Sequence, residues 1–434
     1  MNKTLLKAIP HVVAVLVFVS LSCWYFAPYF SGYELVQSDI NHFIGMSKEV
    51  QDFKLLNDDQ ALWTDSQFGG MPAYQISVEH KGNLVRWVDW LIKLGLPRPV
   101  GILFMAMLGF YILCLCLRIN PWLGILGGVA FGLSSINILY LEAGHVSKVN
   151  AIAYMAPVLG GLLLTMRGKY LFGGLLTALF LALHLSANHL QMTYYLVFLL
   201  LFAGIAQGIQ LLVEGKAQQL LRSAAVLACA AVLAFLPAAS NIMTTYEYSK
   251  HSTRGASELT INPDGTDKIA GAEEGLDPDY ILEYSMGRGE VFSLLIPDVK
   301  GGQYERISKD DLPDDVSQFG KDALPQIGVR YFGDQSFSGG AFYFGVIMIM
   351  LFIMGIVLSK GYLRWGLVLL TIIAVVLSWR EPTGLTMFFL ESVPGFAKFR
   401  DTKMMLVVVQ VIVPLMAVLG LQRLFFSGEE KKAL

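Results

Sequence analysis

Four groups of polar residues interrupt an otherwise apolar chain, and each could do chemistry. Asp39 stands in Gln37-Ser38-Asp39-Ile40, just beyond the first long apolar run. A carboxylate above a membrane can act as a general base or help hold a divalent cation. A Ser or Asp at the head of a helix is also a start signal. The second group, Glu142-Ala143-Gly144-His145-Val146-Ser147-Lys148, sets a carboxylate, an imidazole and an ammonium between two apolar runs. Charge at a membrane edge serves ions or substrates, or else caps and snorkels, as Glu142 and Lys148 could. In the third, His189 with Asn188 and Gln191 suits polar recognition, whereas His184 lies inside an apolar run and reads as a hydrogen-bonded packing residue. The fourth holds Arg380, Glu381, Lys398, Arg400, Asp401 and Lys403. Its cations suit a phosphate group. They would equally serve as an interfacial anchor, or in salt bridges to Glu391 and Asp401.

What positions these groups is a membrane. The chain has 434 residues, is 55% hydrophobic and only 15% charged, and its mean hydropathy is +0.55. Soluble domains carry about 25% charged residues. The apolar runs fit a hydrocarbon core about 30 Å thick if they are helical, and backbone groups in lipid must be satisfied within the segment. The spacing predicts ten helical spans, at about 9–30, 100–118, 121–141, 149–166, 169–187, 191–213, 221–240, 340–359, 362–379 and 404–424. The N-terminal run is too long for a signal peptide and shows no small-residue cleavage site, so it reads as a retained span.

Charge gives these spans a direction. Lys3, Lys7, Arg118, Arg167, Lys169, Lys216, Arg222, Lys360, Arg364, Arg423, Lys431 and Lys432 fall in short connections and tails on one side, with Glu214, Glu429 and Glu430 as their acidic company. That is the positive-inside pattern, with both chain ends cytoplasmic. The fold class expected is an all-α polytopic membrane protein. Residues 1–30 form its first span and 31–98 a first outer segment with interfacial helices. Spans two to seven occupy 99–240, a large acidic outer segment 241–339, and spans eight to ten with a cytoplasmic tail 340–434. Segment 241–339 carries 18 acidic against 9 basic residues. Within 31–98, helical spacing is expected over 39–56, a turn at Phe68-Gly69-Gly70-Met71-Pro72, and a Trp-bearing amphipathic helix around Leu84–Ile92 that lies in the membrane interface.

Some classes are excluded. A net charge of −2 gives no case for nucleic acid. Cys23, Cys114, Cys116 and Cys229 lie in apolar runs without metal-ligand spacing. No Walker loop, zinc-protease helix or Gly-x-Ser-x-Gly motif occurs.

Several strings resemble the YfhO family of bacterial membrane proteins over essentially the whole chain. They are Ser38-Asp39, Gly45–Glu49, Leu62–Ile76, Ala143–Val149, Asn188–Tyr195, Tyr331–Gln335 and Lys398–Arg400; the stretch from Trp63 to Gly69-Gly70-Met71-Pro72 is the most specific. The resemblance implies a GT-C type glycosyltransferase of the bacterial cytoplasmic membrane, moving a sugar from a polyprenyl-phosphate donor to an extracytoplasmic acceptor. It implies catalytic roles for Asp39 and Glu142, with a divalent Mg or Mn held by the same two carboxylates. It implies lipid-phosphate contacts from Lys148, Lys398, Arg400 and Arg380, and a sugar or acceptor site lined by His145, His189 and Gln191. Members of that family are usually longer, with further spans and a further outer domain, so the resemblance implies a fragment or short form. Two other readings stay open: a non-catalytic binder or flippase of lipid-linked sugars, and a scaffold that docks a partner through 241–339.

Overall fold

A computed structural model describes residues 3–255, 261, 265–266 and 275–426. The tail residues Glu429, Glu430, Lys431 and Lys432, and part of the acidic segment, lie outside the described residues.

The chain is mostly helical, with eighteen α-helices among the described residues. Six stretches are long and apolar enough to cross a membrane: Leu6–Tyr25, Arg98–Cys116, Val146–Met166, Leu190–Val213, Ala217–Ser249 and Thr402–Phe426. A seventh candidate is the bent pair Pro121–Gly132 and Ser135–Glu142. The other three expected spans are apolar helices too, but shorter: Tyr170–Ser186, Val346–Leu358 and Leu363–Leu377.

Burial divides these helices in a way only lipid permits. In Val146–Met166, 89% of the most apolar stretch is buried, against 17% in Leu6–Tyr25 and in Ala217–Ser249. A helix apolar all round belongs inside a core or inside a bilayer. The buried ones form the centre, where Val146–Met166 packs on Arg98–Cys116, Tyr170–Ser186 and Leu190–Val213. Leu6–Tyr25 and Ala217–Ser249 present Leu16, Val232 and Leu233 outward, and the free face of Leu190–Val213 presents Val197 and Leu201, which water would not tolerate.

Lipid supplies no hydrophobic drive between helices, so close contact must come from small residues. Val346–Leu358 crosses Thr402–Phe426 at Gly355 and Gly420, where a Cβ on Gly420 would stand 2.8 Å from the Gly355 Cα. The bend of 42° between Pro121–Gly132 and Ser135–Glu142 has a comparable local cause. The buried Asn137 amide donates to the Phe131 and Gly132 carbonyls, at 2.8 and 3.1 Å, satisfying groups that the break leaves without helical partners.

The polar segments are built onto the helix ends. Ser38–Asn57 is a helix, close to the expected 39–56. The expected turn at Phe68–Pro72 closes a two-stranded antiparallel hairpin, pairing Trp63 with Pro72 and Thr64 with Met71, a small β element in an otherwise helical chain. Glu49 anchors the hairpin: its carboxylate accepts from the Thr64 hydroxyl and from the Asp65 and Ser66 N–H groups at 3.2 and 3.1 Å. Those bonds hold the Glu49 carboxyl below the usual range, the Thr64 hydroxyl contributing most. Gly70 is required because its backbone lies on the Trp63 indole, where a Cβ would meet the ring at 2.7 Å. The Trp-bearing helix is Val85–Ile92, with Trp87, Trp90 and Leu91 exposed while Val85 and Ile92 touch the core.

Two glycines should respond oppositely. Gly355→Leu should lower the denaturation midpoint in detergent by the equivalent of about 1–3 kcal/mol, because the facing Met416 carbonyl cannot withdraw. Gly45→Ala, in the exposed Ser38–Asn57 helix with nothing within 4 Å, should leave it unchanged or raise it by up to about 1 kcal/mol. A thermal melt of each variant checks both signs.

Candidate functional site

One set of ends of the central helices gathers ionisable residues that the sequence keeps far apart. The gathering begins at Ser38–Asn57. Its N-cap is Gln37, which makes no side-chain cap; instead the Gln37 amide donates to the Leu141 carbonyl and the Asp39 N–H to the Ala143 carbonyl at 3.4 Å. Gly144 makes this docking possible. It sits at φ +87°, and an added Cβ would lie 3.1 Å from Ile40. Asp39 therefore does not cap its helix. Its Oδ2 lies 2.7 Å from His145 Nδ1. Of the two readings open for Asp39, this geometry favours an interacting carboxylate.

Lys148 follows one turn below His145 and is buried, its ammonium 4.1 Å from the centre of the Tyr140 ring. It interacts electrostatically with Asp401, Lys403, Asp39 and Arg400. One lysine thus joins the first outer loop, the second and the last. Burial and the Lys148 charge hold the His145 imidazole below its ordinary range, against the pull of Asp39. His189 is pushed down to about 3, by burial first and then by Lys148 and His145. Both rings are therefore neutral at pH 7. His189 Nδ1 accepts from the Met192 N–H at 3.3 Å and caps the helix Leu190–Val213.

The last outer loop is fastened from several sides. The Gln191 amide donates to the Arg400 carbonyl at 2.6 Å and to the Tyr195 hydroxyl at 2.9 Å. The Asp401 N–H donates to the Ile281 carbonyl at 2.8 Å, and Arg254 Nε to the Lys398 carbonyl at 3.0 Å. Gln191 is thus a buried fastener of the loop rather than an open recognition group. Asp401, at φ +60°, is buried, and its Oδ1 has no hydrogen-bond partner among the described residues. Burial raises its carboxyl, while Lys403, Lys148 and Arg400 pull it down. Arg400 is exposed; it donates to the Tyr280 hydroxyl at 2.5 Å and lies 5.5 Å from the Tyr280 and Tyr284 ring centres.

Lys403 reaches the acidic segment by donating to the side-chain Oε1 of Gln335. The Gln335 amide donates to Glu290 at 3.0 Å, as do the Tyr331 hydroxyl at 2.5 Å and the Gly287 N–H at 2.6 Å. Segment 275–339 therefore lies over the helix ends and braces the last loop.

Asp39, His145, Lys148, His189 and Arg400 come together as one cluster, with Gln191 fastening it. Glu142 is exposed, and the interaction it shows is with the Tyr25 hydroxyl. Arg380 donates to the Asp334 carbonyl and serves the brace. The expected Mg or Mn would have Asp39 and Glu142 as its ligands. Asp39 is engaged by His145, Glu142 is exposed, and no group of three or more His, Cys, Asp or Glu side chains that could hold a metal ion is found among the described residues. Glu290 and Gln335 are members to which sequence reasoning gave no site role; Asp401 and Lys403 it named only as part of the polar last loop. No family model, curated protein or solved structure matches the chain.

His189 supplies a sign. Its folded pKa lies below the ordinary 6.5, so above pH 6.5 it costs nothing, and stability is lost as pH falls from 6.5 toward 3 while only the unfolded chain takes the proton. His189→Asn keeps a cap acceptor and removes the titration. Its denaturation midpoint should therefore fall less between pH 6.5 and 4.5 than that of the parent, measured by thermal melts across that range.

Proposed function

We propose that the chain is a membrane glycosyltransferase that moves a sugar from a polyprenyl-phosphate donor to a hydroxyl acceptor at the outer membrane surface. The observation that carries this reading is the Asp39–His145 pair beside a buried lysine and two further cations, at the ends of apolar helices. That the transferred group is a sugar rests on the resemblance to the YfhO family.

The roles follow from charge. Asp39 accepts from the Nδ1–H of His145, which leaves Nε2 as a neutral base. The acceptor oxygen bonds to the anomeric carbon as the anomeric carbon–oxygen bond to phosphate breaks. The acceptor proton passes to Nε2, and the bonding pair leaves with the lipid phosphate. Lys148, Arg400 and Lys403 neutralise the charge that develops there. Asp401 keeps these cations from repelling one another while the site is empty of phosphate. The lipid tail lies along the exposed apolar helices. We further propose that all ten apolar helices cross the bacterial cytoplasmic membrane, the bent pair counting as one, with both chain ends cytoplasmic. The charge count supports that orientation.

A non-catalytic binder would use the same cations, so turnover decides. Asp39→Asn and His145→Gln should each lower release of polyprenyl phosphate from a polyprenyl-phosphate sugar by about 10²–10⁴-fold, while retention of the lipid on purified protein changes little. Parental turnover in both variants, or no product from the parent, would remove the catalytic assignment. For orientation, Leu55→Cys should react with an impermeant maleimide in intact cells, and Ala217→Cys only after permeabilisation. Labelling of both, or of neither, before permeabilisation overturns the topology.

A further inference from the structure

The opposite ends of the same helices enclose a second polar site. A cavity of about 460 Å³ opens among Arg167, Lys216, Lys360, Arg364, Arg423 and Glu214. Arg167 follows the helix Val146–Met166 whose first turn carries Lys148; nineteen residues at 1.5 Å rise put the two about 28 Å apart. This site therefore shares no residue with the outer cluster and is independent of the glycosyl-transfer reading.

Two ordinary explanations account for part of the charge. Cations near helix C-termini offset the macrodipole, and five helices end here: Arg98–Cys116, Val146–Met166, Leu190–Val213, Val346–Leu358 and Thr402–Phe426. At roughly half a charge per terminus, these ends offset about two to three cations. Glu214 offsets one more, held by Lys216 at 2.7 Å and by the Gln210 amide at 2.9 Å. Of the five cations, Lys360 and Arg364 make no ion pair among the described residues. The second explanation, the inside bias of short loops, concerns loop composition and does not require a cavity.

The walls are also equipped for an anion. Four glutamines line it, Gln207, Gln210, Gln219 and Gln422. Ser359, 7% exposed, has a buried hydroxyl without a hydrogen-bond partner among the described residues, and so has Arg364 Nε. The other end of the Arg364 guanidinium is fixed: it donates to the Ile356 carbonyl at 3.1 Å and to the Ser359 carbonyl, closing the end of Val346–Leu358. A held guanidinium edge, an unsatisfied hydroxyl and an exposed lysine are the donors a phosphate group takes. The volume falls within the range of ligand sites.

We infer that this cavity binds a phosphate-bearing anion, either the headgroup of an anionic lipid or a soluble phosphate. Basic pockets between membrane helices take lipid headgroups in this way. The full chain, purified in detergent, is titrated with phosphatidylglycerol in mixed micelles and, separately, with inorganic pyrophosphate, its thermal midpoint being the readout and phosphatidylcholine the control. The midpoint should rise with at least one phosphate probe and not with phosphatidylcholine. Phosphatidylglycerol alone would identify a headgroup, and pyrophosphate alone a soluble anion. Lys360→Glu should raise the half-saturating concentration by about tenfold or more, and Lys360→Arg should leave it near the parental value. If Lys360→Glu does not fold, Lys360→Ala should give a smaller shift in the same direction. No rise with either phosphate probe, or equal half-saturation in the parent and the charge-removing variant, overturns the inference.

Discussion

Hydrocarbon offers no hydrogen-bond partner, and nearly everything in this molecule follows from that. Inside the apolar layer each backbone group must be satisfied by its own helix, so the middle of the bundle can do little except pack. Chemistry is confined to the two ends. Where the helical ladder does break, between Gly132 and Ser135, a buried asparagine supplies the missing donor. One helix of eight residues, Ser135–Glu142, separates the break from the loop that presents His145.

The same constraint explains how the outer cluster is assembled. Its members come from four connections spread from Asp39 to Arg400 along the chain, and none of those connections has a core of its own. Each is made rigid by reaching a neighbour: Gln37 to the Leu141 carbonyl, Gln191 to the Arg400 carbonyl, Lys403 to Gln335. The acidic segment, which looks from its composition like a separate domain, is better described as a brace. Its Glu290 is buried and spent on backbone, tyrosine and glutamine donors.

Much of this was legible in the sequence, and what was not has a physical reason. Hydropathy located a helix at each of the ten expected spans, because period and apolarity are local properties. It did not give their lengths: Val346–Leu358 and Leu363–Leu377 are shorter than the apolar runs that contain them. Asp39, His145, Lys148, His189 and Arg400 could be picked out as charged or polar residues at membrane edges. The pairing of Asp39 with His145 could not, since a carboxylate in the first turn of a helix reads the same whether it caps or reaches away. Glu142 shows the converse. It stands next to the cluster in sequence, yet the turn at Gly144 sends His145 toward Asp39, while Glu142 stays exposed and interacts with Tyr25.

The bond from Lys403 to Gln335 has a thermodynamic consequence. An anion that draws the Lys403 ammonium toward itself competes with the glutamine, and the glutamine also holds Glu290. Occupancy of the site and order in the outer brace are then linked functions. By reciprocity, whatever stabilises the brace in its present arrangement weakens the anion by the same factor that the anion loosens the brace. Any anion affinity measured at this site would therefore include the work of rearranging a polar network more than sixty residues away along the chain.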